Sequence, residues 1–354
     1  IKFLNFLKSS GNYIIIYTAR RMRTYKGNIK KVKKEIEQLT INQLKKFNIN
    51  YDELIFGKPY ANFYIDDLSV NPTENLNTKL GYYEKKDNLT RDFNDIVIGE
   101  KFTLKYSKNI NKISAEINYL KKIPNNIKLF FPKLVDNGKD WYKMETIKGT
   151  KISYLLNNNL LVKADIDNIF NSISKIHSLR VASKKNINIY ANYLKKLNLR
   201  TNAKTINLIG KLNFKKIEKS LKDYEKKNQG CYGIIHGDPV LSNILKKENG
   251  EINFVDPRGA QLNKFTIYGD VNYDYSKIYQ SLTGYEDIIM DKKIDEEYLK
   301  NLRKYFEKLV KERTKIKSVS ILKNLTASLY ITLLPFHDVK YKNKFISKAI
   351  SLIN

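Results

Sequence analysis

Short apolar runs bounded by turn residues alternate with stretches of helical periodicity along most of this chain. NYIIIYTAR at 12–20 is one such run, ending in Thr18, and YANFYIDD at 60–67 is another, ending in the pair Asp66 and Asp67. Separated by helical sequence, they predict parallel strands of an α/β unit, whose ligand groups collect at the strand carboxyl ends. An apolar helix, IKFLNFLKS, precedes them. Further along, DIVIGEKFTLKYS at 95–107 predicts two short strands, SAEINYLKKI a helix carrying Glu116, and WYKMETIKG at 141–149 a strand. Within 163–180, Ile166, Ile169, Phe170, Ile173, Ile176 and His177 fall on one helical face, which makes His177 a packed core histidine. Segment 71–90 lacks apolar periodicity and is rich in Asn, Thr, Lys and Gly, so the domain boundary is placed there. The 354 residues suffice for about two domains at roughly 150 residues each.

Two adjoining segments carry the chemistry. IIHGDPVLSNIL at 234–245 puts His236 and Asp238 where an apolar run ends, with Asn243 five residues after Asp238; INFVDPRG at 252–259 ends a second short run in Asp256. Transfer of a γ-phosphoryl group asks a protein to position an alcohol, hold magnesium against the phosphates and neutralise charge. Asp238 suits the acceptor of the hydroxyl proton, with His236 beside it orienting the loop. The carboxamide of Asn243 and the carboxylate of Asp256 are the hard oxygen ligands that magnesium takes alongside phosphate oxygens and water.

These segments resemble the aminoglycoside phosphotransferase and choline kinase group, with its HGDxxxxN loop and its metal aspartate after a β-strand. The resemblance implies a two-lobed, protein-kinase-like fold over 91–354, with an N-lobe at 91–147 and a C-lobe at 148–354. It implies an ATP- and magnesium-dependent kinase for a hydroxyl of a small molecule, a sugar or an amino alcohol. Lys105 then binds the nucleotide phosphates and pairs with Glu116, Lys101 being its rival, and the backbone around Met144, Glu145 and Thr146 faces adenine. YGDVNYDYSKIYQSL at 268–282 resembles the family's GDxxYDxAK segment, in which Asp270 and Asp274 brace the catalytic loop; Asp274 and Arg258 are candidates for structural or substrate contacts. Glu286, Asp287, His337 and Asp338 are candidates for holding acceptor hydroxyl or amine groups. A catalytically silent nucleotide- or partner-binding scaffold of the same fold is the alternative.

Residues 1–74 resemble part of a haloacid-dehalogenase-type phosphatase, a Rossmann-like α/β domain. Thr18 matches its phosphate-binding Thr, Lys58 its neutralising Lys, and Asp66 and Asp67 its magnesium-holding acids. The DxDGT loop that supplies the nucleophile is missing, because residues 1–11 contain no Asp. Without an attacking carboxylate the expectation is a phosphatase-inactive unit. Since the chain begins at Ile, an upstream segment is expected in the full gene product. The fold class is therefore α/β plus α+β: a partial phosphatase-like domain, a linker at 75–90, and the kinase-like unit. The pairing with a sugar-type phosphatase points to cell-surface polysaccharide synthesis.

Composition changes this picture little. The net charge of +29 arises from lysines spread along the chain, without a recognisable nucleic-acid-binding motif, so no nucleic acid is expected as partner. One cysteine, Cys231, excludes an intrachain disulfide and fits a reducing cytoplasm. The apolar runs are shorter than the roughly 18 residues a membrane span requires. Nothing in the sequence sets the oligomeric state.

Overall fold

The computed structural model describes residues 2–9, 11–61, 94–99, 101–178, 187–292, 295–316 and 318–354. Asp66, Asp67 and the expected linker at 75–90 lie outside the described residues. The amino-terminal part runs α1 (Lys2–Ser9), β1 (Ile15–Thr18), α2 (Ile29–Lys46) and β2 (Glu53–Phe56). The Asn28 side chain caps α2 by accepting from the Lys31 N–H, and Val32, Ile36 and Thr40, one turn apart, bury its inner face. β1 and β2 pair in parallel, Ile15 opposite Glu53 through Thr18 opposite Phe56. The parallel partner of β1 among the described residues is ELIF at 53–56, a strand the sequence reading did not single out. Residues 57–61 have no regular structure, and the rest of the run at 60–67 is outside the described residues.

The next lobe is an antiparallel sheet with one helix against it. β3 (Asn94–Ile98), β4 (Phe102–Ser107), α3 (Ile110–Lys122), β5 (Leu134–Asn137) and β6 (Trp141–Glu145) give the strand order β3-β4-β6-β5. Side chains alternate across β4, so Thr103, Lys105 and Ser107 point inward and are buried. Lys105 stands opposite Tyr142 of β6, which places both under α3 and its Glu116. The two strands, the helix and the third strand read from 95–145 are all found.

The larger lobe follows: β7 (Thr150–Lys151), α4 (Ile152–Asn157), α5 (Lys163–His177), α6 (Leu194–Arg200), α7 (Ala203–Ile209) and α8 (Lys211–Lys226). A set of short strands comes next: β8 (Tyr232–Ile234), β9 (Ile244–Lys246), β10 (Ile252–Phe254), β11 (Ala260–Gln261), β12 (Lys264–Phe265) and β13 (Tyr268–Asp270). The chain ends in α9 (Val271–Leu282), α10 (Tyr285–Ile289), α11 (Glu296–Arg313), α12 (Val319–Ile331) and α13 (Val339–Ile353). β8 pairs with β13, and β9 lies between β10 and β7, so the loops after β8 and β10 open on one another. All twelve residues of α9 are buried, which makes it the axis of the lobe. One correction concerns hydropathy. Val319–Phe336 is apolar and long enough to cross a membrane by length and composition alone, although 61% of it is buried inside the fold, as in a core helix.

The two lobes meet backbone to backbone at Gly259, whose φ is +61°. A Cβ there would lie 2.0 Å from the Ala115 carbonyl oxygen on α3. Only glycine admits both the backbone conformation and the approach. Gly259→Ala should therefore destabilise the fold by roughly 2–4 kcal/mol, combining left-handed strain with overpacking, as read from a urea midpoint. An unchanged midpoint would show that α3 is not seated on this turn.

A second test concerns the support beneath the catalytic loop. The Leu241 N–H donates to Ser281 Oγ at 3.0 Å, and the Ser281 hydroxyl donates to Glu286 Oε1 at 2.7 Å. Burial pushes the Glu286 carboxyl up to about 7. The folded state thus binds the proton more tightly than the unfolded one, and stability falls as pH rises from about 4.5 through 7. Glu286→Gln should match the parent below about pH 4.5 and exceed it above pH 7 by up to about 3 kcal/mol, at about 1.4 kcal/mol per pH unit. Parallel stability curves for the two proteins across that window would contradict this assignment.

Candidate functional site

Lys105 is 0% exposed, yet it holds its charge. Its Nζ lies 2.7 Å from Glu116 Oε2 on α3 and 2.9 Å from Asp256 Oδ1 after β10. Burial alone would lower its pKa, but the carboxylates of Asp256 and Glu116 outweigh it and raise the value. For Glu116 the balance runs the other way: burial raises its pKa despite Lys105. The Tyr142 hydroxyl donates to the same Glu116 oxygen at 2.9 Å. Asp256 is opposed by burial but kept below the ordinary carboxylate range by Lys105 and Lys112. It adopts a φ of +58°, an uncommon conformation for a non-glycine residue and of the kind that concentrates at functional sites. The rival Lys101 enters this network only through its carbonyl, which accepts from the Thr146 N–H.

Hydrogen bonds from three directions fix the loop carrying Asp238. Buried Asp274, in the first turn of α9, accepts the His236 N–H at 2.7 Å and the Gly237 N–H at 2.8 Å, and lies 3.0 Å from His177 Nε2. Both ring nitrogens of His236 are engaged by backbone: Nε2 donates to the Val255 carbonyl at 2.9 Å, and Nδ1 accepts the Asp238 N–H at 3.1 Å. This pattern selects the neutral tautomer, and burial lowers the pKa in the same sense. His236 therefore anchors the loop, both of its ring nitrogens being taken by backbone groups. Gly237, at φ +84°, lets the loop pass Arg258, whose Cβ would stand 2.7 Å from a Cβ at that position. The Arg258 N–H closes the arrangement by donating to the His236 carbonyl at 2.9 Å.

The metal candidates sit in the same web. Asn243 Nδ2 donates to the Asp238 carbonyl at 2.9 Å, leaving its amide oxygen as the end able to bind a cation. The Asn243 carbonyl in turn accepts the Val255 N–H at 2.9 Å, so Asp238, Asn243 and Asp256 are carried by two loops bonded to each other. Among the described residues no group of three or more His, Cys, Asp or Glu side chains gathers that could hold a metal ion. An ion held by Asn243 and Asp256 would need further oxygen ligands from substrate or solvent.

One buried side chain at the candidate site escaped the sequence reading. Lys277, 5% exposed on α9, pairs with Asp238 Oδ1 at 2.9 Å. The signal was its position one helical turn after Asp274, in a segment already singled out.

Other expectations shift. The N–H groups of Glu145 and Thr146 donate to the carbonyls of Lys133 and Lys101, and Met144 is paired within the sheet, so this stretch is bonded into the smaller lobe up to Thr146. Asp270 accepts from the hydroxyls of Tyr193 and Tyr224 and from the N–H groups of Cys231 and Asn272, which places it as a brace. Glu286 is held by Ser281, and His337 packs edge-on against Phe345. In the amino-terminal unit the backbones of Thr18 and Lys58 are neighbours, the Lys58 N–H donating to the Thr18 carbonyl at 3.2 Å.

No protein-family model matches the chain, and no curated protein does. Solved structures do match. The apo form of a thermostable mutant of aminoglycoside phosphotransferase APH(4)-Ia gives a TM-score of 0.52 at 10% identity, covering 73% of this chain and 88% of its own. Choline kinase LicA from Streptococcus pneumoniae gives 0.48 at 11% identity, over 73% of this chain and 89% of its own. The streptomycin–ATP ternary complex of APH(2″)-IIa gives 0.47 at 16% identity, over 78% and 94%. At these identities the likeness speaks for fold alone, and the first of the three is close enough to state it: the chain has a mixed α/β architecture similar to the protein-kinase-like phosphotransferase fold.

Proposed function

We propose that this protein is an ATP- and magnesium-dependent phosphotransferase acting on a hydroxyl of a small molecule. The observation that supports it is Lys105, a buried ammonium from one lobe bound by Glu116 of the same lobe and by Asp256, 151 residues away in the other. A structural role alone would not require a third charged group on a loop bonded to the one that carries Asp238 and Asn243. Lys105 positions the α- and β-phosphates, and Glu116 and Tyr142 hold it in place. Asn243 and Asp256 would hold magnesium, which when bound neutralises phosphate charge.

In the transfer step the acceptor oxygen forms a bond to the γ-phosphorus, the bond from that phosphorus to the bridging oxygen breaks, and the hydroxyl proton passes to Asp238. A carboxylate paired with Lys277 is a weak base. It orients the hydroxyl and takes the proton late, which matches the loose transition state of phosphoryl transfer. The acceptor is a hydroxylated metabolite of the sugar or amino alcohol type, and the phosphatase-like sequence at 1–74 supports a place in surface polysaccharide synthesis. The intact charged set argues against a silent scaffold.

Three measurements test this reading. With ATP, magnesium and a panel of sugars, sugar acids and amino alcohols, mass spectrometry should find a phosphorylated product. Asp238→Asn should lower kcat by about two to four orders of magnitude while retaining nucleotide binding. Lys105→Met should weaken nucleotide binding itself. A protein that neither binds ATP nor phosphorylates any member of the panel is not the proposed enzyme, and full activity in Asp238→Asn would remove that carboxylate from the mechanism.

A further inference from the structure

The charges around Asp238 are wrong for a cationic acceptor. Lys196 on α6 is 2% exposed; its Nζ donates to the Tyr273 hydroxyl at 2.8 Å and stands 5.2 Å from the centre of that ring. An ammonium has three donors, and among the described residues no carboxylate pairs with this one. Burial in that condition favours the neutral amine unless an anion compensates the charge. One turn beyond Tyr273 on the same face of α9, Lys277 reaches Asp238, and Arg258 leaves its turn against Gly237 of the catalytic loop. Burial holds the Lys196 pKa well below its ordinary value, and the charges of Arg258, Lys277 and Arg200 push it the same way against Asp238. These groups therefore share one electrostatic neighbourhood.

The carboxylates that might offset them are engaged elsewhere. Asp270 and Asp274 are committed to tyrosine hydroxyls and loop N–H groups, Glu286 to Ser281, and Asp287 to the field of Lys292 and Lys348. A cationic acceptor such as choline would meet the charges of Lys277 and Arg258 here.

We infer that the acceptor carries a carboxylate or phosphate beside the hydroxyl that is phosphorylated, and that Lys196, with Lys277 and Arg258, binds it. Such an anion supplies the counter-charge that the buried Lys196 lacks and turns the hydroxyl toward Asp238. The inference rests on the phosphotransferase reading for the chemistry at that hydroxyl, but not for the binding of the anion.

Calorimetry with a non-hydrolysable ATP analogue and magnesium present separates the possibilities. D-Glycerate and D-glucuronate test the carboxylate, glycerol 3-phosphate and glucose 6-phosphate the phosphate; glycerol, glucose, choline and ethanolamine are the comparisons. At least one anion should bind tenfold or more tighter than its uncharged counterpart. Lys196→Met should abolish that preference while its Tm stays at or above the parent's, and Lys196→Arg should retain most of it. Preference for choline or ethanolamine, equal binding of each anion and its neutral counterpart, or an unaltered preference in Lys196→Met would each overturn the inference, and the wild-type panel decides even if the variant fails to fold. Anion binding without transfer from ATP would sink the phosphotransferase reading and leave the anion site standing.

Discussion

The buried carboxylate of Asp274 is the interaction on which the site depends. It gathers two consecutive loop N–H groups and the ring of His177, so it ties the start of α9 to the end of α5 and to the turn before Asp238. A buried carboxylate tolerates this position only because its donors are in place; removing them from such a charge typically costs about 3–5 kcal/mol. Its location in the first turn of a helix adds the favourable field of the N-terminus. The backbone of the catalytic loop is thereby fixed before any ligand arrives. His236 completes the constraint, since its two ring nitrogens clamp the Val255 carbonyl and the Asp238 N–H and align the loop with the segment leading to Asp256.

The second requirement is that the smaller lobe be held to this frame. Lys105 does so through charge and Gly259 through shape. The ion pair from Lys105 to Asp256 crosses between lobes, and the missing side chain at Gly259 allows the turn after Asp256 to lie against the α3 backbone one residue before Glu116. These contacts are mutually dependent. If α3 moved away from the turn, Glu116 would leave Lys105, and a buried ammonium would be left with a single partner.

How far the site was legible follows from these particulars. Asp238, Asn243, Asp256, Lys105 and Glu116 could be read because each terminates or flanks a short element whose order is fixed by the chain, and the spacing alone brings the two loops together. Lys277 and Lys196 were obscured by composition: among 65 basic residues little separates the few that are buried, and only Lys277 carries a cue, its place one turn after Asp274. Hydropathy marks where a strand is apolar, not where its last N–H is paired, so the backbone pairing that continues through Thr146 was not visible in the sequence. The same limit hid β2, whose four residues are less conspicuous than the run at 60–67. For Val319–Phe336, interspersed Ser, Lys, Asn and Thr break the sequence into short runs, although the average over the window is apolar.

Helix α9 brings these strands of argument together. Tyr273, Asp274 and Lys277 lie within a little more than one turn, and each meets a different part of the site: Lys196, the loop backbone and the base. A helix buried on every side cannot rotate to relax one of these contacts without disturbing the others, so the charge near Asp238 is set by the packing of the lobe. The overall excess of +29 is scattered over solvated surface, where water and salt screen it. A few ammonium and guanidinium groups held in or beside the core act over short range at low dielectric, and the proposed choice of acceptor rests on these.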